Sequence, residues 1–133
     1  MTAALLVVDC SAVVEVLLDP SGDGAVVADY LAGRDLVAPS LLPFEVANVL
    51  RRRRQAGLLT PAQADLAYAD FRDLPVDLWV FETLAGRLWS LTGSLTAYDA
   101  SYVALAQLLD APLLTCDRRL ADAAPPGCAV VVL

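Results

Sequence analysis

Histidine and lysine are both missing from this 133-residue sequence. Without His there is no Ser-His or Cys-His nucleophilic pair and no imidazole for a metal. Without Lys there is no P-loop lysine, no Schiff base and no lysine-assisted phosphotransfer to an aspartate. Cysteine is scarce: Cys10, Cys116 and Cys128 form an odd, widely spaced set that fits neither a disulfide framework nor a zinc pattern. They read as small buried thiols. No apolar run approaches the ~20 residues of a membrane span. The N-terminal apolar stretch has no basic residue before it and is interrupted by Asp9, which argues against a signal peptide and makes the cytoplasm the expected location. Polar chemistry is left to 13 Asp, 3 Glu, 9 Arg, hydroxyls and backbone. A net charge of −7 argues against broad, purely electrostatic nucleic-acid binding. It leaves room for a nucleic-acid substrate contacted through a hard cation.

What is present is aliphatic: 58% of the residues are hydrophobic, enough for a sheet covered on both faces in one domain spanning 1–133. Leu5-Leu6-Val7-Val8 runs without alternation, as a strand buried on both sides does. It stops at Asp9, and Ser11 is placed to cap the helical stretch that follows. Turn residues from Asp19 to Gly24 lead to a helix over Ala25–Ala32 with Gly33 behind it. Asp35–Pro39 reads as a strand, and Ser40 as the start of a helix over Leu41–Gln55. Thr60-Pro61-Ala62-Gln63 has the form of a capping box with Pro at the first helical position, opening a helix to about Arg72. Val76–Val80 is a strand, Glu82–Leu91 a helix, and Ala97–Leu109 a strongly periodic helix capped by Thr96. Ala111–Cys116 is a buried strand before Asp117 and a short helix, and Ala129–Leu133 is the last strand. Strands alternating with helices call for a three-layer α/β/α sandwich with a mainly parallel central sheet.

Four acids stand out by position. Asp9 and Asp117 each follow a buried strand, and each is equally a helix cap. Glu45, the sole acid between Asp35 and Asp65, lies in the first turns of a helix directly after a strand. A surface Glu favoured by the helix dipole explains it as well. Asp99 stands three residues after Thr96, the spacing of a capping box with Asp in the usual Glu position. Taken together, they put four carboxylates at strand carboxyl ends or helix N-termini, which share one edge of a parallel sheet. Crowded carboxylates repel unless a cation joins them. An oxygen-only cluster suits Mg²⁺ or Mn²⁺, which activate water and stabilise a transferring phosphoryl group. Metal-dependent phosphodiester chemistry is the expectation.

The segments around these acids are Val8-Asp9-Cys10-Ser11-Ala12, Pro43-Phe44-Glu45-Val46-Ala47-Asn48-Val49-Leu50-Arg51, Thr96-Ala97-Tyr98-Asp99 continuing to Ala106, and Leu113-Leu114-Thr115-Cys116-Asp117-Arg118-Arg119-Leu120. Together, in this order, they resemble the PIN-domain nucleases, and more narrowly the VapC-type toxins of bacterial toxin–antitoxin pairs. The resemblance implies a Mg²⁺- or Mn²⁺-dependent endoribonuclease with a catalytic, metal-binding quartet of Asp9, Glu45, Asp99 and Asp117. It also implies a homodimer and a small antitoxin that inserts an Arg into the acidic pocket. Ser11 matches the hydroxyl that often accompanies the first Asp and is a candidate partner behind the metal; Thr115 is a second. Cys10 departs from the residues common there, which touches no metal ligand.

Arg51-Arg52-Arg53-Arg54 fan around about 300° of a helix and cannot form one patch. Arg52, on the helix face of Glu45, and Arg51 are the candidates for an RNA phosphate contact. A solvated helix C-terminus favoured by its dipole accounts for the run equally well. Trp79 and Trp89, in apolar surroundings, read as core or dimer-interface residues. Three rival readings remain: a catalytically silent PIN-like binding module, a structure-specific DNA nuclease, and an aspartate phosphotransfer or dehalogenase-type fold. The last normally uses the lysine that this chain lacks.

Overall fold

The computed structural model describes residues 4–133. In chain order the elements are β1 (Leu5–Val8), α1 (Cys10–Leu18), α2 (Asp23–Leu31), β2 (Asp35–Pro39), α3 (Leu42–Gln55) and α4 (Pro61–Asp73). They continue with β3 (Val76–Trp79), α5 (Phe81–Leu91), α6 (Ala97–Leu109), β4 (Leu113–Thr115), α7 (Arg118–Ala123) and β5 (Val130–Val132). The five strands form one sheet in the order β3-β2-β1-β4-β5, and every pairing is parallel. The seven helices flank it. This is the α/β/α arrangement that the alternating pattern predicts.

β1 lies at the centre, as its unbroken aliphatic run requires. Leu6, Val7 and Val8 are fully buried, and so are Leu113 and Leu114 of the neighbouring β4. Val7 pairs with Leu113 and Val8 with Leu114. From β1 the chain builds one half of the sheet outward through β2 and β3, then returns to β4 on the other side of β1. The strand order therefore reverses between β1 and β4. In open parallel sheets the crevice for a ligand opens at that reversal, outside the carboxyl ends of the strands. α6 covers this centre, with every residue from Ala100 to Ala106 buried. Small side chains make that close approach of helix to sheet possible.

Local chemistry moved several helix starts from where the sequence alone put them. Ser11 is not the cap of α1. Asp9 is, accepting the Ala12 N–H at 3.0 Å, while Ser11 stands inside the first turn. α2 starts at Asp23, earlier than the expected Ala25, because the Asp19 carboxylate accepts the Asp23 N–H at 3.0 Å. Ser40 caps nothing: its N–H donates to the Trp79 carbonyl at 2.9 Å, prolonging the β2–β3 ladder, and α3 begins without a side-chain cap. The Thr60–Gln63 capping box forms as expected, with bonds of 2.9 and 3.1 Å. Trp79 packs partly against the core, but Trp89 is 76% exposed and is not a core residue. The three cysteines are free and half-buried rather than buried. No helix among the described residues is long and apolar enough to cross a membrane.

Gly24 is buried where α2 crosses the end of α1, and a Cβ there would overlap the carbonyl oxygens of Glu15 and Asp19. Gly86, inside α5, has open space in the Cβ direction. Gly24→Ala should therefore lower stability by about 1–3 kcal/mol. Gly86→Ala should raise it by roughly 0.5–1 kcal/mol through lost unfolded-state freedom. Thermal or urea melts of the two variants read both signs.

Candidate active site

At the reversal between β1 and β4 lies a cavity of about 540 Å³, lined by Asp9, Glu45, Asp99 and Asp117 together. Each acid arrives on a different element: Asp9 at the end of β1, Glu45 in the first turn of α3, Asp99 in the first turn of α6, and Asp117 just after β4. The sequence places all four at one edge, and the structure brings all four to one cavity.

Asp9 is the innermost, only 6% exposed. Its Oδ1 accepts from Ser11 Oγ at 2.7 Å and from the Ala12 N–H at 3.0 Å, and its Oδ2 accepts from Thr115 Oγ1 at 2.5 Å. Both hydroxyls also accept: Ser11 Oγ from the Cys116 N–H and Thr115 Oγ1 from the Asp117 N–H, each at 2.9 Å. A hydroxyl has one proton to give. With both protons committed to Asp9, the 3.2 Å separation of Ser11 Oγ and Thr115 Oγ1 is a contact without a proton between them. Of roughly four acceptor directions on a carboxylate, three on Asp9 are taken. Burial pushes the Asp9 carboxyl above its ordinary value, against the pull of these hydrogen bonds.

Glu45 is half-buried, and its Oε1 accepts from the Tyr102 hydroxyl at 2.6 Å. Burial raises its carboxyl too, opposed by the Tyr102 bond and reinforced by the charges of Asp9 and Asp99. Tyr102 itself is pushed far above its usual range by burial and by Glu45, so it remains a proton donor. The sequence reading did not single out Tyr102, although it follows Asp99 by three residues, one helical turn along the same face.

Asp99 is not the second half of a capping box. Thr96 Oγ1 accepts the Asp99 N–H at 3.1 Å, but the Asp99 carboxylate turns away and accepts from Arg119 Nη1 at 3.1 Å. Arg119 also reaches Asp117: Nη2 donates to Oδ2 at 3.1 Å and the backbone N–H donates to Oδ1 at 3.0 Å. One guanidinium thus bridges two carboxylates from different elements. Its place in the sequence, two residues after Asp117, gave no sign of this.

The arginine run divides as its helical fan requires. Arg52 and Arg53 line the acidic cavity, whereas Arg51 and Arg54 line a separate groove between α3 and α4 beside Tyr68. Arg51 is therefore not at the cavity, and Arg53 takes its place beside Arg52. Cys10 and Cys116 also line the cavity. Burial, with the nearby Glu45 and Asp9 charges, pushes the Cys10 thiol up to about 12. Burial and Asp9 push Cys116 up to about 11. Both thiols hold their protons near neutral pH, which leaves oxygen donors to define the site.

Among the described residues, three carboxylates with oxygens within 4.8 Å of one another occur at Glu15, Asp19 and Asp23, not within the quartet. Within that trio the Asp19 carboxylate already serves the start of α2 by accepting the Asp23 N–H. In the quartet, Tyr102 engages Glu45, and Arg119 engages both Asp99 and Asp117.

Known proteins resemble this chain in sequence and in fold. Residues 6–125 match the PIN domain. The chain is 37% identical over 129 residues to Ribonuclease VapC9 of Mycobacterium tuberculosis, covering 97% of this chain and 98% of that protein. It is 36% identical over 118 residues to Ribonuclease VapC12 of the same organism, covering 89% and 91%. Among solved structures, VapBC2 from Rickettsia felis bound to a DNA fragment from their promoter has a similar fold. The TM-score is 0.73 at 11% identity, over 97% of this chain and 98% of that one.

The raised carboxyls of Asp9 and Glu45 make the metal-free protein pH-sensitive in a definite direction. Between the ordinary carboxylate range, about 4, and the raised folded-state values, the folded chain binds more protons than the unfolded one. Stability therefore falls as pH rises through that window. Glu45→Gln keeps an acceptor for Tyr102 and cannot ionise. In melts with excess chelator, its melting temperature relative to wild type should climb as pH rises above about 4 and level off once Glu45 of the folded wild type has ionised. A difference that shrinks with rising pH would contradict the burial of Glu45.

Proposed function

This chain belongs to the PIN-domain family, and from that membership we propose that it is an endoribonuclease, the toxin of a toxin–antitoxin pair. The observation that carries the reading is the gathering of Asp9, Glu45, Asp99 and Asp117 on one cavity at the strand reversal, in a chain similar along nearly its whole length to named ribonucleases. A catalytically silent binding module would have no use for four acids converging from four elements, and nothing in the site favours DNA over RNA.

The residues fit a hard divalent cation. The donors are oxygens alone, the thiols are protonated, and the innermost carboxylate keeps one acceptor direction free. Asp9, Glu45, Asp99 and Asp117 would hold Mg²⁺ or Mn²⁺. When bound, the ion supplies activation of water and neutralisation of charge on the phosphoryl group. The chain's own residues orient this set. Ser11 and Thr115 fix both oxygens of Asp9 from behind, and Tyr102 fixes one oxygen of Glu45. Arg52 and Arg53 supply positive charge at the cavity for an RNA phosphate.

Residues 1–133 form one nuclease domain, a reading supported by the span of the family match and by one contiguous core cluster. The protein works as a cytoplasmic homodimer. Exposed Leu78, Val80 and Phe81, along the edge strand β3 and the start of α5, with exposed Trp89 in the last turn of that helix, support a covered surface there. A small antitoxin blocks the site by placing an Arg in the acidic cavity.

Asp99→Asn separates capping from metal binding. The Thr96 hydroxyl accepts the backbone N–H of residue 99, so this cap survives the substitution. RNA cleavage by wild type should require Mg²⁺ or Mn²⁺ and stop in excess EDTA. Asp99→Asn should lose more than the roughly 10–100-fold typical of residues behind a metal, while keeping its melting temperature without metal. Thr115→Val, which removes a hydrogen bond to Asp9, should fall within that 10–100-fold range. Cleavage by Asp99→Asn at the wild-type rate would remove Asp99 from the site.

A further inference from the structure

We propose that Arg119 is the site's built-in counter-cation: its guanidinium bridges Asp99 and Asp117 when no metal is bound, and is released to an RNA phosphate when a divalent ion takes those carboxylates. The inference rests on the metal-dependent ribonuclease reading above and adds a residue that it does not use.

The geometry is that of a bridge rather than of an ordinary surface pair. Nη1 bonds Asp99 Oδ2 and Nη2 bonds Asp117 Oδ2, both at 3.1 Å, so the two terminal nitrogens serve acids on two different elements. The cavity lining carries two more carboxylates than guanidiniums. Asp9 and Glu45 share the cavity with them, and among the described residues Arg119 is the cation within ion-pair distance of Asp99 and Asp117. Arg119 thus does for these two acids what a bound cation would do.

The same contacts put it in competition with an ion. Asp117 has both oxygens engaged by one residue, Oδ1 by the Arg119 N–H and Oδ2 by its side chain. The backbone bond belongs to the α7 cap and can stay. The side-chain bonds occupy one acceptor direction on Asp117 Oδ2 and one on Asp99 Oδ2, and a cation that draws on both carboxylates competes with the guanidinium for the same negative charge. Breaking those bonds is easy, because the Arg119 side chain is 66% exposed and exposed ion pairs are weak. Once released, the guanidinium stays tethered at the cavity on the first turn of α7. Its planar fork matches a phosphate better than any other side chain does. Arg52 and Arg53 line the same cavity, so release would add a third cation for the RNA backbone.

Competition has a readout independent of cleavage. Mn²⁺ affinity is measured by calorimetry on wild type, Arg119→Gln, Arg119→Lys and Arg118→Gln. Arg118 is an exposed neighbour with no ion pair among the described residues, so it reports the effect of removing one nearby charge. Arg119→Gln should bind Mn²⁺ several-fold more tightly than wild type and melt at a lower temperature in chelator. Arg119→Lys, which keeps the charge and loses the fork, should also bind more tightly, and Arg118→Gln should match wild type. At saturating Mn²⁺, Arg119→Gln should cleave RNA with a raised KM and a kcat close to wild type. Unchanged or weaker Mn²⁺ binding in Arg119→Gln, or equal tightening in Arg118→Gln, would overturn the competition. An unchanged KM would overturn the phosphate contact. If wild type cleaves RNA in those cases, the ribonuclease reading stands and only the role of Arg119 falls. If wild type neither binds Mn²⁺ nor cleaves, the reading beneath it falls.

Discussion

Two hydroxyl protons hold the centre of this protein in register, those of Ser11 and Thr115, both given to the buried Asp9 carboxylate. Burying a carboxylate is costly unless hydrogen bonds replace the water it loses. Here the replacements come from the helix that follows β1 and from the end of β4. The bonds that make Asp9 tolerable are thus the same ones that lock the two central strands' carboxyl ends together. Ser11 Oγ and Thr115 Oγ1 accept backbone N–H groups from Cys116 and Asp117, extending the lock to the start of α7. Remove either hydroxyl and the charge, the strand pair and the short helix all lose a partner at once.

The rest of the site is a problem in charge. Glu45 is calmed by Tyr102, and Asp99 and Asp117 by Arg119, yet acids remain in excess around the cavity. A protein built for stability alone would place apolar side chains here. The raised carboxyls of Asp9 and Glu45 mark stability given up in the metal-free state, which a cation bound only by the folded chain restores. The proposed ion site accounts for that expense.

Much of this was legible in the chain itself, for physical reasons that differ from residue to residue. Leu5–Val8 announced a central strand because only a strand buried on both faces can dispense with alternation. Asp9 and Asp117 were placed correctly because each ends such a strand, and strand ends in a parallel sheet share an edge. What stayed hidden depended on where side chains turn. The backbone spacing of Thr96 and Asp99 fits a capping box, but the Asp99 carboxylate answers to Arg119, twenty residues away in sequence. Ser11 has the chemistry of a cap, yet Asp9 stands two residues closer to the strand and takes that task. Arg53 rather than Arg51 joins Arg52 at the cavity, because a helical fan says that four arginines must part company without fixing the rotation of α3 against the sheet. The helix axis had to be placed before the cavity could choose between them.

The bond between Thr115 and Asp9 also spans 106 residues of sequence. β1 is made early and pairs with β2 soon after, but β4, the other half of the lock, comes near the end. Pairings so distant close a long loop and form late. Until β4 joins the sheet, Asp9 lacks one of the two hydroxyls that replace its water. Asp9, Glu45 and Asp99 precede that hydroxyl and Asp117 in the chain. The acidic cavity is therefore complete only once β4 has joined β1 in the sheet.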